Sequence, residues 1–277
     1  MRYFPRNRAL FAVFMVTLLM VFFVPAPAQI VSDDQEQVQH QIERAKIFRE
    51  AYPVIAEVDL YCSLFIYEGD LPDLMITAAE KGYEKVMFSD SDVVFLNKGR
   101  QDGLEIGQVF LVVEIGGRVG EFGHLANKRG RAHVVFLEDN RAVATIEKSC
   151  GRLMVGNYLL PFEEKETMLG KDIGYEAYAE GVTGPVGTII YLERDYNQIG
   201  SGGWAIIDIG EETGIQVGQQ LTIYKRIRKP QSLEVRKDLP QIGVGNSVVI
   251  DVGKRTATVK ILSCSDSIVK GQTVQGK

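Results

Sequence analysis

The chain has 277 residues, with 31 Lys+Arg against 36 Asp+Glu and a formal net charge of −5. That acidic balance argues against a nucleic-acid partner and for a solvated protein surface. The length is enough for two small domains once a leader is set aside.

Residues 1–28 read as an export signal. Arg2, Arg6 and Arg8 form a positive start, and no acidic residue occurs before Asp33. Ala9–Val24 then runs sixteen residues without a charge, and Ala26 and Ala28 supply the small residues at −3 and −1 of a cleavage site before Gln29. The apolar run is slightly long for a signal core and slightly short for a membrane span, so a retained N-terminal anchor is the alternative. No cysteine follows it closely, which speaks against a lipoprotein. The expected location is periplasmic or secreted, or anchored in the inner membrane facing the periplasm. Loss of three arginines leaves 28 Lys+Arg against 36 Asp+Glu, a mature charge near −8.

Residues 29–53 are expected to form a short amphipathic helix. Ser32, Asp33 and Asp34 provide a cap and an acidic first turn, Val38, Ile42, Ala45 and Phe48 recur at helical spacing, and Pro53 ends the pattern. The apolar face packs on the first domain or on a second copy of the helix.

After Pro53 the pattern changes to short Val-, Ile- and Phe-rich runs separated by glycines and charged turns. "DVVFLNKG", "QVFLVVEIGG", "AHVVFLEDN" and "AVATIEKS" form one series. "WAIIDIGEE", "QQLTIYKRI", "NSVVIDVGK" and "TATVKILS" form another. Such runs predict a mainly β protein, as small barrels or sandwiches. Gly99, Gly103 and Gly107 match Gly210, Gly214 and Gly218 at an offset of 111. Gly130, Val134, Ala142, Ile146 and Gly156 match Gly245, Val249, Ala257, Ile261 and Gly271 at an offset of 115, the change falling at a hairpin loop. The expected organisation is therefore a first β repeat domain at 54–162, a linker at 163–184 carrying at most a short helical turn, and a second β repeat domain at 185–277.

The repeated glycine phrases, "GRQDGLEIGQVF" and "GEETGIQVGQQL", lack the Lys-Ser or Lys-Thr of a phosphate loop and the third glycine of a dinucleotide turn. They read as turns. Gly99, Gly103, Gly210 and Gly214 are expected at positive φ, and Gly107 and Gly218 at a bend into the next strand. Leu104 and Ile106, with Ile215 and Val217, are expected to close the bottom of each core. The charged residues between the glycines differ between the copies, whereas glycines and apolar positions persist, as a fold requires.

On these residues the chain resembles the β module that follows LysM domains in bacterial envelope proteins, and the C-terminal domain of flagellar assembly protein T. Asp92, Val94, Gly99, Gly103, Leu104, Gly107 and Gly156 fit the pattern in the first copy, and Gly210, Gly214, Ile215, Gly218 and Gly271 in the second. The resemblance spans roughly residues 70–162 and 185–275 and implies a fold more than a function. No LysM sequence is present, so peptidoglycan binding does not transfer with it.

No catalytic, cofactor or metal site emerges. His40 falls in the polar helix, where exposure is expected, and a ligand pair of His124 and His133 lacks a third partner for a metal. "GSGG" at Gly200–Gly203 reads as a hairpin turn, and "SDSD" at Ser89–Asp92 lacks the rest of a calcium loop. An oxidising compartment permits a disulfide, but Cys62, Cys150 and Cys264 cannot all pair within one chain; they are expected to be small buried apolar side chains, with one bridge as the alternative, and Cys150 and Cys264 each in its own domain. The one distinctive loop is "KRIRKPQSLEVRKD", with Lys225, Arg226, Arg228, Lys229, Arg236 and Lys237. It is a solvated hairpin or a contact for an envelope protein, an anionic glycan or an anionic lipid. The expectation is a non-catalytic envelope scaffold or interaction protein without a cofactor. The alternatives are a flagellar or secretion-machinery component, a glycan-binding module, and an enzyme with an unrecognised site.

Overall fold

The computed structural model describes residues 52–80, 82, 85–179, 184–227 and 240–277. The expected signal peptide, and the expected helix through residue 51, lie outside these. Tyr52 and Pro53, placed at the end of that helix by the sequence pattern, instead open strand β1 (Tyr52–Ile55). A single turn and a half of helix follows, α1 (Glu57–Cys62), and then β2 (Leu64–Tyr67).

The first sheet comprises β3 (Ile76–Ala79), β4 (Val93–Leu96), β5 (Val109–Val119), β6 (Gly123–Leu137), β7 (Ala142–Ser149) and β8 (Tyr158–Pro161). Their order is β3-β4-β7-β6-β5-β8, with β2 added as a seventh strand on β6. The sheet curls until its ends meet: Met75 bridges Tyr158, and the Ile76 N–H donates to the Asn157 carbonyl at 2.9 Å. Inward residues alternate along each strand, so Ile76, Val94, Leu96, Val112, Val134 and Ile146 share one core.

β9 (Met168–Gly170) pairs with β1. The second sheet holds β10 (Val186–Leu192), β11 (Trp204–Ile207), β12 (Gln220–Lys225), β13 (Ile242–Val252), β14 (Ala257–Cys264) and β15 (Thr273–Gly276). It is a closed six-stranded barrel in the order β10-β11-β14-β13-β12-β15, the same pattern of neighbours as β3 to β8. Ile189, Ile207, Leu221, Val249, Val259 and Ile261 fill it.

The segment expected as a linker, 163–184, is bound to its surroundings and carries no helix among its described residues. Beyond β9, the Asp172 carboxylate accepts from the Gly174 N–H at 2.8 Å and from the Asn246 side chain, and the Gly243 N–H donates to the Ala177 carbonyl at 2.9 Å. Its backbone groups are satisfied by the barrel wall, which removes any reason to coil.

β1, α1 and β2 cover the barrel's outer wall. Val54, Ile55, Leu60 and Tyr61 bury Val248 and Ile250, while Leu64 and Ile66 bury Ile206. β11 and β13 are therefore buried on both faces. Ala51–Lys277 pack as one unit.

Candidate interaction surfaces

The repeated glycine phrase builds the same turn in both sheets. After β4 and β11 the chain enters a 3-10 turn, Arg100–Asp102 in one and Glu211–Thr213 in the other. Gly103 ends the first at φ 87 and Gly214 ends the second at φ 77, the left-handed region that glycine enters without penalty. Gly107 and Gly218 also have positive φ, 84 and 87. Gly99 and Gly210 depart from expectation: their φ values are −139 and −142, open to any residue. What requires glycine there is space. A Cβ on Gly99 would lie 2.5 Å from the Arg141 nitrogen and the Glu138 carbonyl oxygen, and one on Gly210 would lie 2.4 Å from the Gly253 carbonyl oxygen. Leu104 and Ile215 are buried as expected, but Ile106 and Val217 point outward, 66% and 43% exposed. Ile106 and Val217 sit in the turn before the next strand, so the two-residue period that would align them with Leu104 and Ile215 is broken there.

The basic loop leaves the barrel at the end of β12. The described part places Lys225, Arg226 and Ile227, all exposed, beside Ile242, Gly243, Val244, Ser265 and Asp266 around an open groove of about 780 Å³. Lys225 is ion-paired to Asp266 at 2.5 Å, and this hydrogen bond holds the Asp266 carboxyl below its ordinary pKa. Arg226 stands at the groove's rim. Arg228, Lys229, Arg236 and Lys237 lie outside the described residues. The groove thus offers one guanidinium and one already-paired ammonium beside the apolar side chains of Ile227, Ile242 and Val244.

A second cleft, about 220 Å³, opens at the junction of the two sheets, with Tyr61, Phe65, Leu160 and Phe162 on its walls. Lys128 of β6 lies at its base, with its side chain only 4% exposed, and donates to Asp251 at 2.7 Å and to the Leu60 carbonyl at 2.8 Å. Lys165 reaches the other oxygen of Asp251 at 2.8 Å. Burial pushes the Asp251 carboxyl up, but Lys128 and Lys165 together outweigh burial and hold it below its usual value. Burial lowers the Lys128 ammonium, against the pull of Asp251. Alongside, Asp59 of α1, 2% exposed, accepts from Lys260 at 2.6 Å, the Trp204 indole N–H at 3.0 Å and the Ala56 N–H at 2.8 Å. These charges converge from different strands as they would in an active site, but each is held by protein partners across the junction. They fasten α1 and β6 to the barrel. Nothing in the residue pattern marked them, since a charged residue inside an apolar run reads as the solvent side of a strand.

The cysteines differ from expectation. Cys62, at the end of α1, is disulfide-bonded to Cys150, just after β7, and Cys264 is free. α1 brings Cys62 beside the end of β7, a proximity that the sequence separation of 88 conceals. Of the histidines, His40 lies outside the described residues. His124 meets the Gly116 carbonyl oxygen at 3.2 Å and His133 meets Glu147 at 3.1 Å. Nine residues apart on one strand, those two stand roughly 30 Å from each other and cannot share an ion. Among the described residues no group of three or more His, Cys, Asp or Glu side chains is arranged to hold a metal. In the "SDSD" stretch, Asp92 accepts from the Ser89 N–H at 2.7 Å and Asp90 accepts from the Ser149 N–H at 2.7 Å, so both carboxylates tie down turns. Ser201 lies in a turn, with the Gly203 N–H donating to the Gly200 carbonyl at 3.2 Å.

The chain matches no protein-family model, and no curated protein is similar to it in sequence.

Proposed function

We propose that this chain is an exported scaffold or interaction protein of the bacterial envelope, built from two copies of one β module and acting by holding partners. The observation that carries the reading is the junction. α1 and β2 bury apolar side chains and the Asp59 and Lys128 ion pairs against the barrel wall, so the two β bodies are joined into a single unit. The matching strand order and the matching Gly103 and Gly214 turns support descent of the two bodies from one module. The Cys62–Cys150 bond fits an oxidising compartment, in agreement with the N-terminal signal pattern. Resemblance to the LysM-associated module and to flagellar assembly protein T points to the same setting.

Cross-linking the tagged protein in its native envelope tests this reading. A defined partner supports it; a protein that cross-links to nothing in intact envelopes overturns it. The groove beside Arg226 favours a second reading, an anionic glycan ligand. Sedimentation with purified cell wall that survives neutralising the basic residues of 225–237 would exclude that loop as the binding element.

A further inference from the structure

The cleft at the junction of the two sheets is built as ligand sites are. Its walls are apolar, from Tyr61, Phe65, Leu111, Leu160 and Phe162, and its polar groups converge at the base. Apolar walls with a few fixed polar groups are the usual form of a small-molecule site. The charges that meet there do not balance. Asp251 carries both ammoniums, Lys128 on one carboxylate oxygen at 2.7 Å and Lys165 on the other at 2.8 Å. One negative charge therefore faces two positive ones, whereas charges out of water are stable when matched. Glu163 also lines the cleft, but it is exposed and forms no ion pair among the described residues. The nearby groups leave the excess unchanged. Arg131 lies over the Tyr61 and Phe162 rings at 5.9 and 5.5 Å and is met by Glu147 at 2.7 Å, and Asp59 pairs with Lys260.

The two lysines are not equally engaged. Lys128 also donates to the Leu60 carbonyl at 2.8 Å, and its ammonium stands over the Phe65 ring, 5.6 Å from the centroid. Among the described residues the Lys165 ammonium donates to Asp251 alone, which leaves two of its three N–H groups for another acceptor. Its backbone is fixed at the cleft. The Lys165 N–H donates to the Tyr61 hydroxyl at 2.8 Å, and that hydroxyl donates to the Lys165 carbonyl at 3.0 Å. The side chain is 37% exposed, so a solute can reach it. We infer that this cleft binds a small carboxylic acid with an aromatic or branched apolar body, its carboxylate on Lys165 and its body against Phe65 and Phe162. The charge selects an anion, because a cation would meet two ammoniums and a carboxylate that both already share. The volume sets the size. A cavity of about 150 Å³ accepts benzene, so about 220 Å³ takes one ring with its acid group.

This site goes beyond the reading of the chain as a scaffold and does not depend on it. Phenylacetate is titrated at constant ionic strength into the isotope-labelled mature chain, and backbone amide shifts are followed by NMR. Saturable shifts at Tyr61, Phe65, Leu111 and Lys165 are expected, with a Kd of about 1 mM or tighter. Benzylamine, the same ring with a positive charge, should produce none. Lys165→Met removes the excess charge and leaves the Lys128–Asp251 pair whole. It should weaken phenylacetate about tenfold or more, as loss of a charge-assisted hydrogen bond does, with amide shifts away from the cleft unchanged. Glu163→Gln, at an exposed position, should bind at least as tightly as the wild type. Acetyl-glycyl-phenylalanine presents the same acid as the end of a chain, and the tighter of the two probes names the source. Absence of saturable shifts at the cleft overturns the inference, as does equal binding of benzylamine, binding indifferent to Lys165→Met, or weaker binding with Glu163→Gln.

Discussion

Replacement of Asp59 by Asn is the sharpest test of how the two sheets are held together. The carboxylate is 2% exposed, and its three donors are Lys260, Trp204 and the Ala56 backbone. Asparagine keeps the size and can still accept from one or two donors, but it leaves the Lys260 ammonium, with its side chain 19% exposed, without a counter-charge. Breaking a buried pair from one side costs about 3–5 kcal/mol, whereas replacing both members with apolar groups is often close to neutral. Asp59→Asn should therefore lower the urea midpoint by about 1–2 M, taking a slope of about 2.5 kcal/mol/M. The Asp59→Leu, Lys260→Met double variant should recover most of that loss. Trp204 is the chain's one tryptophan and donates its indole N–H to Asp59, so its emission reports both the junction and global unfolding. A single-variant cost below about 1 kcal/mol would refute the argument, because it would place the pair in the range of exposed salt bridges.

Loss of the disulfide in a Cys62→Ser, Cys150→Ser chain should destabilise by up to about 4.6 kcal/mol, the loop-closure value for a separation of 88 residues, read as a fall in guanidinium midpoint that reductant reproduces in the wild type. The glycine turns should separate into two classes in thermal melts. Gly103→Ala and Gly214→Ala should cost about 1–2 kcal/mol for a left-handed backbone, and Gly103→Asn less, while Gly99→Ala and Gly210→Ala should cost about 2–3 kcal/mol or more through backbone collision. Neutral Gly99→Ala would contradict the close approach. Asp251 supplies a pH test. Its folded pKa is depressed, so its contribution is present above the unfolded value of about 3.9 and is lost as pH falls below it. The stability gap between wild type and Asp251→Asn should thus narrow in urea titrations taken from pH 6 down to about pH 3, and a gap that stays constant would show that Lys128 and Lys165 do not act on it.

Much of the strand content could be read from the residues because it rests on short-range rules. "DVVFLNKG" and "AVATIEKS" alternate, and their inward residues, Val94, Leu96, Ala142 and Ala144, are the ones buried. The barrel strands were recognisable for a different reason: "WAII" and "SVVI" are apolar without alternation, as suits strands buried on both faces, and only the cover supplied by α1 and β2 explains why. α1 itself was illegible, since six residues containing Glu57, Val58 and Asp59 show no helical period. The candidate surfaces divide in the same way. Lys225 and Arg226 were visible as a local run of charge, whereas the cleft around Lys128, Lys165 and Asp251 draws on three distant segments and has no signature within any one of them.

What the amino-acid sequence determined by itself was local and periodic: strand positions, the paired glycine turns and the acidic overall charge. Gly103 and Gly214 need nothing beyond their own φ to end a turn. Tertiary structure decided the rest, because it depends on which distant groups meet. It turned Gly99 from a flexible residue into a point of close approach, joined Cys62 to Cys150, buried Asp59 and Lys128 as fasteners, and covered the barrel's outer face with α1 and β2. The physical reason is that a buried charge, a disulfide or a docking face takes its energy from its partners, and those partners lie on strands far away in the chain.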